Sequence, residues 1–200
     1  MYHCYSDILI VRMILDAGAD VNAKNQSRRT PLHCAASKNR CSVGSMLLNM
    51  GAKVNTRDVN RLTALHDAVN GSSPTITSML LDAVVDVNAM DSFGKTALHY
   101  ATSIDIGRKM LDVGADVNAK DLNGITLLQY TKKIGMVKML PDAGGDPNVV
   151  DISGRSVNIA LIEQAHKHAD RETKRRSFRI TQFKKERTKD GTKLECSSCP

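Results

Sequence analysis

Tryptophan is absent from the 200 residues, and aromatics supply only 4% of them, three Phe and four Tyr. Without bulky anchors, Leu, Ile, Val and Ala must fill the interior, which suits a thin helical stack better than one large centre. No unbroken run of about 18 apolar residues occurs, so no membrane-spanning helix is expected. Residues 1–7 lack the basic and then apolar stretch of a secretory signal, so a cytoplasmic location is expected. The five cysteines, Cys4, Cys34, Cys41, Cys196 and Cys199, suggest no disulfide framework, in keeping with a reducing compartment. A Gly-rich phosphate loop, a zinc-binding helix motif and a nucleophile elbow are all missing. The pairs His66-Asp67 and Ser6-Asp7 are neighbours in sequence alone, and catalysis needs spatial geometry. Cys196 and Cys199 make half a zinc site, and two ligands cannot close a tetrahedron. The expectation is therefore a non-enzyme with no catalytic residue, no cofactor and no metal.

What the chain does have is a beat. Thr-Pro-Leu-His-Cys-Ala at 30–35 returns as Thr-Ala-Leu-His-Asp-Ala at 63–68 and Thr-Ala-Leu-His-Tyr-Ala at 96–101, 33 residues apart each time. A second string, Gly-Ala-Asp-Val-Asn-Ala at 18–23, recurs with variation at 51–56, 84–89, 114–119 and 144–149. Two unlike motifs on one period of this length signal a stacked solenoid. Thr30, Thr63, Thr96 and Thr126 stand where a helix N-cap belongs, and Pro31 falls at a first helical position, where its missing N–H costs nothing. Apolar residues then recur at helical spacing: Ile10, Val11, Ile14 and Leu15; Val43, Leu47 and Leu48; Ile76, Leu80 and Leu81; Ile106, Met110 and Leu111. The pattern reads as a buried stripe. Small Ala35, Ala36, Ala68 and Ala101 let paired helices approach closely. No unit of this size can bury its apolar face alone, so neighbours must supply the other wall.

Over roughly residues 1–155 these strings resemble the ankyrin repeat family. The abbreviated and decayed units look similar to viral or arthropod members. The resemblance implies an all-α solenoid of stacked helix–turn–helix units joined by hairpin-like loops. The array is expected over 1–162: a partial unit 1–23, units 24–56, 57–89, 90–119 and 120–149, and a remnant 150–162. His33, His66 and His99 take the family's structural position, where the ring bridges backbone and the cap Thr of adjacent repeats. Gln129 replaces that His, which should weaken the network toward the C-terminal end. Gly94 and Gly124 fall where the family's loop turns left-handed. Arg28 and Arg61 at the same place should cost about 1 kcal/mol each. Other departures are expected to matter too. His3 aligns with His99, which leaves the first unit short. Stretches 96–125 and 126–155 lose three residues in the turn between their helices. Gly44 and Gly107 should leave gaps, and Pro141 should end its helix early at about 3 kcal/mol.

In such arrays partners are held by hairpin tips and by the exposed face of the first helices. Carried over by position, the tips are Lys24, Gln26, Ser27, Arg28 and Arg29; Arg57, Val59, Asn60, Arg61 and Leu62; Met90, Ser92, Phe93 and Lys95; and Lys120, Leu122, Asn123 and Ile125. The helix face offers Ser37, Lys38, Asn70, Gly71 and Ser103. The first two tips carry five cations against Asp58, which favours a protein partner with an acidic or mixed acidic-apolar surface. Phe93, Met90 and Leu122 would supply the apolar anchor. The array is expected to be a monomer.

Charge is uneven. Residues 1–164 hold 17 Lys/Arg against 16 Asp/Glu, whereas 165–200 hold 11 against 5. The segment 163–200 reads as a basic tail without repeat periodicity. Within it Lys174, Arg175 and Arg176, with Lys184, Lys185 and Arg187, could serve nuclear import or contact an acidic surface. No nucleic-acid-binding fold accompanies them, so nucleic acid is not the expected partner. The main expectation is thus a protein-binding scaffold. Two alternatives stand beside it: a fragment or degenerate member of a larger ankyrin protein, or the targeting arm of an enzyme or nuclear regulator using the tail.

Overall fold

Each Thr-x-Leu-His string opens a short helix, and each apolar stripe forms a second one behind it. The computed structural model describes residues 2–131 and 133–154, with only the backbone course at 2–7 and 134. Its helices are α1 (Tyr2–Asp16), α2 (Pro31–Ser37), α3 (Cys41–Asn49), α4 (Ala64–Asn70), α5 (Pro74–Asp82), α6 (Ile104–Asp112), α7 (Leu127–Tyr130) and α8 (Ile134–Asp142). A single 3-10 turn, Ala97–Tyr100, stands between α5 and α6. The expected tail at 163–200 and most of the remnant unit lie outside the described residues.

First helices pack on first helices and second on second. α2 contacts α4, and α4 contacts the 3-10 turn, which in turn contacts α7; α3, α5, α6 and α8 form the other row. Leu32, Leu65, Leu98 and Leu128 from the first row are buried against Leu47, Ile76, Leu80, Ile106, Met110, Met136 and Leu140 from the second. Each such side chain contributes about 1.5–3 kcal/mol on burial. Ala35, Ala36, Ala68 and Ala101 are buried between the rows. The core is therefore a slab without a centre, the all-α solenoid that the spacing anticipates. Among the described residues β pairing is limited to an isolated bridge, Met90 to Thr96.

Several expectations need correcting. The first unit is not a shortened helix pair: α1 runs unbroken and packs on α3. Its stripe is only half covered, because Leu15 is buried and Val11 packs on the core while Ile10 and Ile14 are more than half exposed. The three-residue loss in the later units shortens the first helix as well as the turn. Seven residues in α2 and α4 become four in the 3-10 turn and in α7. The left-handed residues that follow the longer helices, Asn39 at φ 51° and Ser72 at φ 50°, have no counterpart in 101–103.

Nor do the helix glycines leave gaps. A Cβ on Gly44 would stand 2.9 Å from Ile76 Cδ1, and one on Gly107 would meet Met139 Cε at 3.1 Å and Met136 Cε at 3.2 Å. Larger neighbours from the next unit have filled the space. Pro141 does not end α8 early either, since that helix matches the nine residues of α3, α5 and α6. Proline sits one residue from its end, where a single missing N–H is tolerable. The amides of Ala143, Gly144 and Gly145 then turn back to Met139, Pro141 and Leu140 and close the last turn.

Two substitutions check this account. Gly44→Val should destabilise by about 1–3 kcal/mol, because it overpacks against Ile76; a real gap would give the opposite sign. Arg61→Gly should stabilise by about 1 kcal/mol by relieving the left-handed backbone at φ 61°. Urea unfolding followed by circular dichroism at 222 nm reads both.

Candidate partner-binding face

The hairpin tips are built around buried carboxylates. Asp58 Oδ1 accepts the amides of Asn60 and Leu62 at 2.8 and 3.0 Å. Asp91 does the same for Phe93 and Lys95, and Asp121 for Asn123 and Ile125. Asn25 takes this role in the first tip, holding Ser27 and Arg29. Three residues on, the backbone turns left-handed at Arg28, Arg61, Gly94 and Gly124. Gly94 is needed twice over, because a Cβ there would also come within 2.9 Å of the Leu122 amide nitrogen. Tips then join in a ladder: Val59 N–H donates to Ser27 O, Ser92 to Asn60 O, Leu122 to Phe93 O and Ile152 to Asn123 O, all at 2.9–3.0 Å.

Beneath the tips runs a histidine relay. His66 Nε2 faces Lys95 O at 3.2 Å, and a carbonyl can only accept, so the proton sits on Nε2. Nδ1 is left as an acceptor for the Thr63 amide at 3.2 Å, with the Thr63 hydroxyl at 2.9 Å. His33 links Thr30 to Leu62 O, and His99 links Thr96 to Ile125 O, in the same way. The threonine belongs to the ring's own unit and the carbonyl to the following hairpin, so adjacent units share the backbone partner and not the Thr. Gln129 does not break the pattern: its Oε1 accepts the Thr126 amide at 2.9 Å and its Nε2 donates to Val149 O at 3.2 Å. The weakening expected at Gln129 is thus not seen in the count of bonds. Burial lowers the pKa of His66 and His99, opposed by their backbone hydrogen bonds, and keeps both rings neutral.

Two further sets of residues carry the stack without having been singled out in the sequence. Asn22, Asn55, Asn88 and Asn118 each span to the next loop: Nδ2 donates to the carbonyls of Gly51, Val84, Gly114 and Gly144, and Oδ1 accepts the amides of Lys53, Asp86, Asp116 and Asp146. The signal was in plain view as the unvarying Asn of the second string. Tyr100 and Tyr130 donate their hydroxyls to Asp91 and Asp121 at 2.5 and 2.6 Å. The Lys95 ammonium lies over the Tyr130 ring, 4.3 Å from its centroid. Burial works to raise the Asp121 pKa, yet the Tyr130 hydroxyl and the Ile125 and Asn123 amides hold it below its ordinary value.

The residues carried over by position fall into two groups. Arg28, Asn60, Arg61, Met90, Phe93, Leu122 and Asn123 are exposed at the tips, and Lys38 and Asn70 are exposed on the first helices. Phe93 and Leu122 stand out at 64% and 71% exposure, and Ile152 extends the same row at 76%. Arg29 and Arg57 are different, because both are committed within the array. Arg29 Nη2 bonds Asp67 Oδ2 at 2.7 Å while Nη1 approaches Asp58 at 3.7 Å. Arg57 donates to Met90 O at 3.3 Å and approaches Asp86 at 3.7 Å. The even cationic front read from sequence is therefore narrower in space. Lys174, Arg175, Arg176, Lys184, Lys185 and Arg187 lie outside the described residues. Among those described, no cluster of three His, Cys, Asp or Glu could hold a metal ion, and no helix is long and apolar enough to cross a membrane.

A family model described as ankyrin repeats (3 copies) matches residues 1–58 and 55–121. Comparison with curated proteins returns no match.

The relay makes stability pH-dependent with a definite sign. Folded His66 and His99 resist a proton that the unfolded chain accepts near 6.5, so stability should hold above that pH and fall as pH drops through and below it. Unfolding in urea at pH 7.5 and 5.5 measures the slope, which should shrink in a His66→Gln, His99→Gln double variant. At pH 7.5, His66→Gln should stay within about 1 kcal/mol of the parent. His66→Leu should cost roughly 2–4 kcal/mol by orphaning the Thr63 amide and the Lys95 carbonyl.

Proposed function

The chain belongs to the ankyrin repeat family, whose members are generally protein–protein interaction modules, and from that premise we propose that it grips a partner protein along its row of hairpin tips. The observation that carries this reading is the order of the exposed tip residues. Arg28 and Arg61 lead, and Met90, Phe93 and Leu122 follow, each held on a rigid turn by the ladder of tip-to-tip amide bonds. Rigid display limits the entropy lost on binding. Large apolar side chains on soluble surfaces, set beside charge, mark interaction sites.

The favoured partner surface is mixed, with carboxylates meeting Arg28 and Arg61 and an apolar patch meeting Phe93 and Leu122. Lys38 and Asn70 flank it from the first helices. Binding is non-enzymatic, the protein acts as a monomeric scaffold in the cytoplasm, and the basic clusters at Lys174, Arg175, Arg176, Lys184, Lys185 and Arg187 give it a route to the nucleus. The working unit is the array 1–162, and 163–200 is its tail.

Affinity capture with two surface variants tests the reading. Arg28→Ser with Arg61→Ser, and Phe93→Ser with Leu122→Ser, should each lower partner recovery at least about tenfold while leaving the helical circular dichroism intact. Arg29 and Arg57 are left in place, since both are engaged within the array, Arg29 with Asp67 and Arg57 with Met90 O. Recovery unchanged in both variants removes the tips from the account.

A further inference from the structure

Leu122 and Ile152 hold one position on two successive tips, each directly after its buried Asp, and each lies over the left-handed glycine of the tip before. A Cβ on Gly94 would stand 3.2 Å from Leu122 Cγ, and one on Gly124 would stand 3.6 Å from Ile152 Cγ2. Glycine thus seats both side chains, yet both stay well over half exposed. Phe93, whose carbonyl accepts the Leu122 amide, begins the row one tip earlier and is exposed to a similar degree. Three consecutive units therefore display one large apolar side chain each, on backbone fixed by the tip-to-tip bonds.

The step of that row selects its occupant. Neighbouring units stack through packed helices, whose axes lie about 8–10 Å apart, so the tips repeat on roughly that step. An α-helix brings the same side round every seven residues, a rise of about 10.5 Å. A β-strand shows one side every two residues, about 6.6 Å, and its next multiple is about 13 Å. Polyproline II repeats a side at about 9.3 Å, but it is recognised in aromatic-lined grooves, and this row is a set of projecting tips with a single ring.

We propose that the tips are met by a partner helix lying along the stack, its large apolar residues spaced by heptads so that one falls on each of Phe93, Leu122 and Ile152. The proposal rests on the tip reading above and adds the partner's shape to it. Two heptad steps rise about 21 Å against roughly 16–20 Å across three tips, a slip that three anchors tolerate. One heptad further on, a glutamate of the helix meets Arg61, exposed on the preceding tip.

The probes are fluorescein-labelled peptides of about 25 residues, read by anisotropy against the full chain. The first two are alanine-rich and long enough to hold a helix in water. One carries a glutamate and three leucines at heptad spacing. The other has the same composition with its leucines five residues apart, which winds them off any one side. A third is proline-rich with leucine at every third residue. The heptad peptide should bind saturably and at least about fivefold more tightly than either of the others. Arg61→Ser should weaken it about two- to fivefold. Phe93→Ser with Leu122→Ser should erase its advantage while the helical circular dichroism of the chain is unchanged. Equal binding of the two alanine-rich peptides, tighter binding of the proline-rich one, or an advantage that survives Phe93→Ser with Leu122→Ser overturns the proposal. If partner capture still depends on Phe93 and Leu122 in those cases, the tip reading stands and only the helix is rejected.

Discussion

One hydrogen bond repeated down the chain holds the architecture together: a side-chain donor at the third position of each first helix reaching the backbone carbonyl of the next hairpin. Leu62, Lys95, Ile125 and Val149 each supply that carbonyl. The same side chain accepts the amide of its own cap Thr, so a helix cannot be properly started unless its neighbour is present. Helix initiation, normally a local affair, is thereby tied to stacking. That coupling is what turns weak units into a cooperative array. The asparagine bridges in the loops and the amide ladder at the tips repeat the principle at two other heights of the stack, and all three fix the hairpins on which exposed side chains are displayed.

Much of the fold was legible because its signals are local and periodic. Thr at the cap, Leu at the second helical position and His at the third state a helix start wherever they occur, and the apolar stripes 10–15, 43–48, 76–81 and 106–111 state the second helix. What sequence could not state was compensation between units. Gly44 alone implies a void, and only the stack brings Ile76 into it. Pro141 alone implies a broken helix, and only the last-turn amides show why it is harmless. Ile10 and Ile14 share the stripe of Leu15, yet burial depends on whether a neighbour exists on that side, which no stripe records.

The candidate site was legible as positions and not as chemistry. Arg28 and Arg29 are neighbours in sequence, but the first sits on a left-handed turn facing solvent while the second is drawn inward to Asp67 and Asp58. Arg57 and Arg61 divide the same way. Burial raises the Asp67 pKa, and the Arg29 guanidinium pulls it back. Arg29 is thus a brace between units, its charge met by Asp67 and Asp58. Counting cations per loop cannot separate the two kinds; only the direction of each side chain does.

The swap at Gln129 has a consequence of its own. An amide offers the same acceptor and donor as the ring but has no proton to gain, so the last junction is blind to acidity while the two before it are not. Acid therefore works against folding at the His66 and His99 junctions, and Gln129 adds no such penalty at the last one. Where a single residue differs in titration, a uniform column acquires a preferred seam.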